Sequence, residues 1–314
     1  THVAVAEATI NPESKIMLLK AGFRMNYFQD LNVFVPEIRL QYSQQVNRYF
    51  RVEVLGEQKS QTMSQVIDRQ QDFLGIEKRR WTLADGEMYP LQRSNQLSIG
   101  ISFRRNNWLV TLDNFYKEVT GITTSEQGFQ DQLESVSAAG KYRVLGSELL
   151  VQKNFGRYYA WLNYSLNDNR YDFAALSPEY FPNNFELVHA VAAAAIYEWH
   201  SMKIAVGAKW HSGRPVTSPV SAVPDLTNPQ APEIIYNDSN NSRLPDFFQM
   251  NFSASKDWKI WKVMFEAGIS VVNLLNTRNV VNRFYRVSAD GTSINRYDTS
   301  ALDRTPNVHL KISF

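Results

Sequence analysis

The 314-residue sequence predicts an all-β protein, a transmembrane antiparallel up-and-down β-barrel. Three observations predict this fold class. Apolar and polar residues alternate in about a dozen segments, the connections between the segments are alternately short and long, and aromatic residues collect near the segment ends. Alternation at period two indicates a β-strand with one apolar face, and a barrel wall turns that face toward lipid.

The first segments show the alternation most clearly. In MLLKAGFRMNYF (17–28), Leu19, Phe23 and Tyr27 share one face, whereas Lys20 and Arg24 share the other. FVPEIRLQYS, YFRVEVLG and QLSIGISF repeat the pattern. Eight later segments follow it: 108–112, 145–151, 158–166, 188–196, 202–210, 248–254, 263–271 and the closing NVHLKISF. With HVAVAEATI at the start, the sequence predicts twelve to thirteen strands. Most span about 9 to 13 residues, close to what a tilted strand needs to cross a bilayer.

The connections indicate how the strands are arranged. Tight connections are predicted at 45–47, 105–107, 154–156, 198–201 and 256–260. Long outer loops are predicted near 57–92, 119–140, 169–184, 213–244 and 273–304, all within one domain spanning 1–314. In an up-and-down sheet this alternation puts the turns at one end and the loops at the other, which is typical of outer-membrane barrels.

A large soluble sandwich with one buried face would show the same alternation. Strand length and loop asymmetry favour the barrel over this alternative. Aromatic rings near strand ends also fit a membrane interface. They are Tyr27, Phe28, Tyr42, Phe50, Trp108, Tyr116, Tyr158, Trp210, Trp258 and Trp261.

Composition excludes several function classes. The absence of cysteine excludes disulfides and thiolate sites, and a formal charge of +2 gives no bias toward nucleic acid. No helical membrane span is present, and no leader precedes Thr1, so we expect a processed chain or a fragment. The five histidines lack the spacing of a metal site, and no nucleotide or hydrolase motif occurs. We therefore predict no enzyme, cofactor or metal site. A hydrolase assembled from separate loops and a calcium site in NDSNNS (237–242) stay as less favoured alternatives.

Several motifs resemble TonB-dependent outer-membrane receptors. AGFRMNYF with PEIRLQYS resembles their paired early strands, and LGSELLVQKNFGRYYAWLNYSLND resembles a G-x-E strand with its aromatic return strand. KWHSGRP, RLPDFFQMNFSAS with FEAGISVVNLLNTRN, and the closing NVHLKISF follow in family order. The spacing looks closest to Bacteroidota receptors. Glu37 stands after Pro36 where the family usually has Arg, and Arg39 follows two positions later.

The resemblance implies a 22-stranded barrel in the outer membrane, of which this chain is the C-terminal part, plugged by a domain absent from this chain. It implies a transporter that imports a scarce nutrient with energy delivered by TonB, ExbB and ExbD. The nutrient is an iron chelate, a cobalamin, a glycan or a peptide. Other expected partners are membrane lipids, lipopolysaccharide, the barrel-assembly machinery and a surface lipoprotein. A passive porin-like barrel or envelope scaffold is the alternative.

Site residues follow from this picture. We predict lumen or plug contacts on the inward face, at Arg24, Arg39, Arg51, Glu53, Glu148 and Glu266. We predict substrate contacts at aromatic residues of the outer loops, because function concentrates on loops held by a rigid scaffold. They are Trp81, Tyr89, Tyr180, Phe181, Tyr236 and Tyr285. The resemblance makes Phe314 the barrel-insertion signal.

Overall fold

A computed structural model of the chain describes residues 1–11, 16–68, 78–127, 138–228, 231–261 and 263–313. Within these ranges the chain forms β-strands and one short helix, α1 (Thr124–Gln127). The strands are β1 (His2–Ile10), β2 (Met17–Phe28), β3 (Val33–Gln45), β4 (Phe50–Gln61), β5 (Met63–Asp68), β6 (Lys78–Leu83), β7 (Gln92–Arg105), β8 (Trp108–Thr123), β9 (Ala139–Asn154), β10 (Tyr158–Asp172), β11 (Tyr180–Pro182), β12 (His189–Trp199), β13 (Met202–His211), β14 (Pro215–Val216), β15 (Ser242–Arg243), β16 (Phe247–Ile260), β17 (Val263–Val272), β18 (Val280–Val287), β19 (Ile294–Ser300) and β20 (Thr305–Ser313).

One antiparallel sheet contains thirteen of these strands, and they follow one another in chain order. The order is β1-β2-β3-β4-β7-β8-β9-β10-β12-β13-β16-β17-β20, with β11 added to the end of β10. Three small hairpins, β5–β6, β14–β15 and β18–β19, lie in the connections. This meander confirms the predicted all-β, up-and-down topology and the count of twelve to thirteen strands. Among the described residues, no helix has the length and apolarity required to cross a membrane.

The outward face of the sheet is apolar and exposed. Ile99, Ile101 and Leu112 are between 42% and 49% exposed although each lies at least four residues from either end of its strand. A soluble sandwich would bury such a face, so the exposed rows contradict that alternative and fit a lipid-facing wall. A buried apolar cluster of the described residues lies instead at the loop end of β8–β10 and contains Val119, Ile122, Ala138, Tyr171, Phe173 and Phe181.

The turn end contains the tight turns that the sequence predicts, with one correction. Asn106 and Asn107 join β7 to β8 with φ values of 47° and 62°, the left-handed pair of a primed hairpin turn. The last tight turn is wrongly predicted at 256–260. β16 continues to Ile260, because Trp258 still pairs with Phe265, and the chain reverses at Trp261 with a φ of 58°.

The strands also extend further into the loop end than periodicity predicts. β4 runs to Gln61 and pairs Gln58, Lys59 and Ser60 with residues of β7, inside the range assigned to a loop. β8 reaches Thr123 and β10 reaches Asp172 in the same way. Beyond the lipid an apolar face is no longer needed, so the alternation stops while the backbone ladder continues.

Aromatic pairs mark the strand ends. Tyr158 stacks on Tyr197 with ring centres 4.5 Å apart, and Phe50 packs against Phe103 at 5.0 Å. Phe28 is a correction to the predicted belt, because it is only 8% exposed and has the inward parity of β2.

Candidate functional site

The inward face has the predicted polar character, and register places all six predicted wall residues on it. Arg24 lies opposite Glu37, Arg39 opposite Gly22, and Arg51 opposite Gln45. Glu53 and Glu148 lie in one cross-strand row, and Glu266 lies opposite Lys311 near the last strand. Their contact with a plug stays a prediction.

Glu37 is the most enclosed charge of this face. It is 3% exposed, and its Oε1 accepts hydrogen bonds from the backbone N and the Oγ of Ser60, at 2.8 and 2.6 Å. Its Oε2 lies 3.9 Å from Arg24 Nε, which also donates to Asn26 at 2.7 Å. Because a buried carboxylate needs such donors, Glu37 ties β2, β3 and β4 together, and this explains the acidic residue where the motif departs from the family.

Arg51 is also engaged within the wall. Its Nη1 donates to Ser43 Oγ at 2.9 Å, and its Nε donates to Gln45 Oε1 at 3.2 Å. Ser43 in turn donates to Glu53 Oε1 at 3.1 Å. These bonds hold Arg51 and Glu53 against β3, and they use two donors of Arg51 but only one acceptor position of the Glu53 carboxylate.

An acidic row crosses four strands of the inward face. Glu53 lies opposite Gly100, Gly100 opposite Asp113, and Asp113 opposite Glu148. The carboxylate of Asp113 lies over Gly100, where a Cβ would come within 2.1 Å of its Oδ1. Within the described ranges none of the three carboxylates makes an ion pair, so this part of the wall presents negative charge to the interior.

Arg39 lies on the same face and supplies the opposite charge. Its guanidinium is exposed beside a depression of about 320 Å³ whose lining includes Gly22, Gly56 and the Lys20–Glu7 pair, 3.0 Å apart. Among the described residues no carboxylate lies within ion-pair distance of Arg39. It is therefore available to an anionic group from outside the sheet. Glu266 differs, since its Oε1 lies 3.3 Å from His309 Nε2.

The outer connections contact one another at the loop end. Asn240 Nδ2 donates to Pro182 O and Asn184 Oδ1, both at 2.7 Å. Arg243 pairs with buried Glu186, and Arg214 donates to the carbonyl of Val281. These bonds join the loops after β10, β13 and β17 into one surface.

Five of the six predicted loop aromatics are exposed or half-buried in the outer connections, and their contact with a ligand stays a prediction. Trp81 is 62% exposed on β6, and Tyr180 is half exposed with the Arg143 guanidinium 6.0 Å from its ring centre. Tyr236 and Tyr285 meet edge to face at 6.4 Å. Tyr89 is half-buried in a turn closed by Asp85, whose carboxylate accepts the backbone N–H groups of Tyr89 and Glu87. These bonds hold the pKa of Asp85 below its ordinary value.

Phe181 corrects the remaining prediction. Its ring is 2% exposed and packs against Tyr171 and Phe173, with ring centres 5.4 and 6.3 Å away. It is a core residue of the loop end rather than a ligand contact. Phe314 lies outside the described residues.

Sequence reasoning missed two features. The first is Asp113, which completes the acidic row. Because Leu112 belongs to the apolar face, alternation places the next residue, Asp113, on the inward face, and this signal could have identified it. Arg283 and Asp298 form a bidentate pair across β18–β19, at 2.7 and 3.1 Å, which lowers the pKa of Asp298. The strands of this hairpin lie inside a range assigned to a loop, so no periodicity signalled the pair.

Comparison with known proteins agrees with this geometry. The family model described as TonB dependent receptor-like, beta-barrel matches residues 24–274. No curated protein matches the sequence. The chain superposes on the FrpB iron transporter from Neisseria meningitidis with 14% identity and a TM-score of 0.59, covering 99% of this chain and 44% of that transporter. It superposes on the ferric citrate transporter FecA with 10% identity and a TM-score of 0.62, covering 98% of this chain and 44% of FecA. The ferric yersiniabactin uptake receptor FyuA from Yersinia pestis gives 10% identity and a TM-score of 0.60, covering 99% of this chain and 44% of that receptor.

This chain therefore spans less than half the length of these structures. At such identities they show the fold, and they do not bear on the Bacteroidota-type spacing, which stays a prediction. The family and these neighbours are receptors and transporters, not enzymes. The match over 24–274 covers most of the sequence, and the chain, an outer-membrane protein, belongs to the TonB-dependent receptor-like β-barrel family.

Proposed function

We propose that this chain forms the wall and outer capture loops of a receptor that imports a scarce nutrient with energy delivered by TonB. The observation that carries the proposal is the family match over 24–274, joined to a wall that is apolar outside and carries charges of both signs inside. A lumen with charge of one sign would favour an open ion-selective pore instead.

The inward charges are proposed to contact a plug domain supplied by the rest of the receptor. Arg24, Arg51 and Glu53 each make hydrogen bonds within the wall, whereas Arg39, Asp113 and Glu148 make no ion pair with any residue that the structure describes. The acidic row fits lysine or arginine side chains of a plug, and Arg39 fits a carboxylate. A TonB, ExbB and ExbD system acting on that plug would supply the energy.

The outer loops are proposed to capture the ligand. Tyr180, Tyr236 and Tyr285 offer aromatic surface on loops that contact one another at the mouth of the wall, and Trp81 and Tyr89 offer it on the connection after β4. The names of the compared structures concern iron or ferric chelates, which supports a ferric chelate as the first ligand class to test. Cobalamin, glycan and peptide are the other arms of that test. Lipopolysaccharide, the barrel-assembly machinery and a surface lipoprotein stay predictions.

Uptake by whole cells tests the proposal. Cells lacking the gene, complemented with the full gene or an empty vector, receive radiolabelled ferric citrate, ferric siderophores, cobalamin, a glycan or a peptide, with and without functional TonB. Saturable uptake of one ligand that requires both the gene and TonB supports the proposal. Uptake that needs the gene but not TonB, and does not saturate, identifies the passive porin-like alternative.

A further inference from the structure

A recess interrupts the lipid-facing side of the wall. Two neighbouring cross-strand rows pass through β8, β9, β10, β12, β13 and β16. One runs Trp108, Lys153, Ala160, Ala195, Val206, Phe252, and the other runs Val110, Val151, Leu162, Ala193, Ala208, Met250. Alanine occupies two of the four inner places of each row, whereas the larger Trp108, Phe252 and Met250 stand at three of the four row ends.

The recess is enclosed on the turn side and the loop side as well. The next row toward the turns contains the stacked pair Tyr158 and Tyr197, and the next row toward the loops contains Tyr164, Val191 and Trp210. Six residues separate Tyr158 from Tyr164, about 20 Å along a strand. The recess is open toward the lipid side, has a volume of about 530 Å³ and has a nearly apolar lining.

A fixed cation stands at the turn end of this recess. Lys153 Nζ lies 4.8 Å from the ring centre of Trp108 and 5.1 Å from that of Phe155. It donates one hydrogen bond to the carbonyl of Asn106 at 2.6 Å, which leaves two N–H groups for another acceptor. Its stem lines the recess while its charge lies at the turns, as expected for a lysine at a membrane interface.

We propose that this recess holds one glycerophospholipid with an anionic headgroup, from the leaflet that faces the turns. The small side chains of Ala160, Ala193, Ala195 and Ala208 leave space that one acyl chain of this lipid fills. Lys153 binds the phosphate of the same lipid. The occupant follows from position and charge. The face is lipid-exposed, the lining is apolar along a chain length, and the cation stands where the headgroups of that leaflet lie. The inference does not rest on the transport function.

Native mass spectrometry of the full receptor, purified from outer membranes in mild detergent and incubated with phosphatidylglycerol, tests the proposal. The wild type should retain one lipid. Lys153→Gln should lower retention about fivefold, as expected for one lost cation near the headgroups. Ala193→Leu should abolish retention by filling the recess, and it should not impair folding because leucine already stands beside it at position 162. Inorganic phosphate at equal concentration should not displace the lipid.

Matched controls are available on the same face. Lys256→Gln removes an exposed lysine at the turn end, and Ala267→Leu enlarges an outward alanine, both away from the recess. Both controls should retain the lipid as the wild type does. Equal retention in Lys153→Gln, Ala193→Leu and the wild type overturns the proposal. So does a wild-type dimer that Ala193→Leu converts to a monomer, because a second copy would then be the occupant.

Discussion

Glu37 shows how a single carboxylate can hold three strands of a barrel wall. It accepts two hydrogen bonds from Ser60 and lies beside Arg24, with 3% of its surface exposed. Buried acceptors of this kind are costly to alter, because the donors left behind lose their partner.

Glu37→Gln should therefore lower the free energy of unfolding by about 1–3 kcal/mol. Urea unfolding of the refolded receptor in detergent, followed by heat-modifiable gel migration, measures the change. Glu57→Gln is the matched control, since Glu57 pairs with Lys59 at a solvent-exposed site and should shift stability by less than about 1 kcal/mol. Equal effects of the two substitutions would contradict the role assigned to Glu37.

Tyr180 and Phe181 are neighbours with opposite expected roles. Phe181→Ala should destabilise the loop end by about 3 kcal/mol, because its ring is buried among Tyr171 and Phe173. Tyr180→Ala should leave stability within about 0.5 kcal/mol, because its ring is half exposed. It should weaken ligand uptake instead. Thermal unfolding and whole-cell uptake separate the two effects, and reversed outcomes would contradict the assignment.

Asp298 gives the β18–β19 hairpin a pH dependence. Its hydrogen bonds to Arg283 depress its pKa, so they stabilise the hairpin above the ordinary value of about 4, and the stabilisation is lost as pH falls through the lowered pKa. Amide hydrogen exchange in 280–300, corrected for intrinsic rates, should be constant from pH 7 to 5 and accelerate only below about 4. In the Asp298→Asn variant the amides of 280–300 should exchange faster than in the wild type at every pH from 7 to 5. The substitution Asp303→Asn, at an exposed site, should leave their exchange as in the wild type.

At the scale of the elements, the backbone conformation of the turn between β7 and β8 explains why two asparagines stand there. Asn106 and Asn107 both have positive φ, which asparagine tolerates better than other non-glycine residues. Asn107→Val should lower stability by about 1–2 kcal/mol because a β-branched side chain strains that conformation, and Asn107→Gly should not. Urea midpoints of the two variants decide the matter, and equal midpoints would contradict a primed turn.

The sequence predicts strands well where lipid imposes a pattern and poorly where water replaces it. The alternating Leu97, Ile99 and Ile101 predict β7, because the face of the strand that meets lipid must be apolar. Gln58, Lys59 and Ser60 continue β4 without any such signal, since only backbone bonds are required there. Alternation likewise predicts that Glu53 and Glu148 lie on the inward face of the wall. The loop contacts of Asn240 and the burial of Phe181 cannot be predicted in this way, because they depend on loops that are distant in sequence and meet only in the folded structure.

At the scale of the whole molecule, the thirteen-stranded sheet is one part of a larger receptor in our proposal. We predict that the natural protein in detergent-solubilised outer membranes has an intact mass well above 36.1 kDa, with a globular domain preceding Thr1. Intact mass spectrometry with N-terminal sequencing measures this. A mass of 36.1 kDa would require a partner chain to supply the plug.

The conductance of the full natural receptor in planar lipid bilayers separates an energised, plugged transporter from an open pore. Because we propose that Arg39, Asp113 and Glu148 contact a plug, insertion of the folded receptor should give a closed membrane with no steady ionic current. Insertion confirmed by heat-modifiable gel migration of protein recovered from the same membranes provides the control. A large, constant conductance after insertion would contradict the proposal and establish the passive barrel in its place.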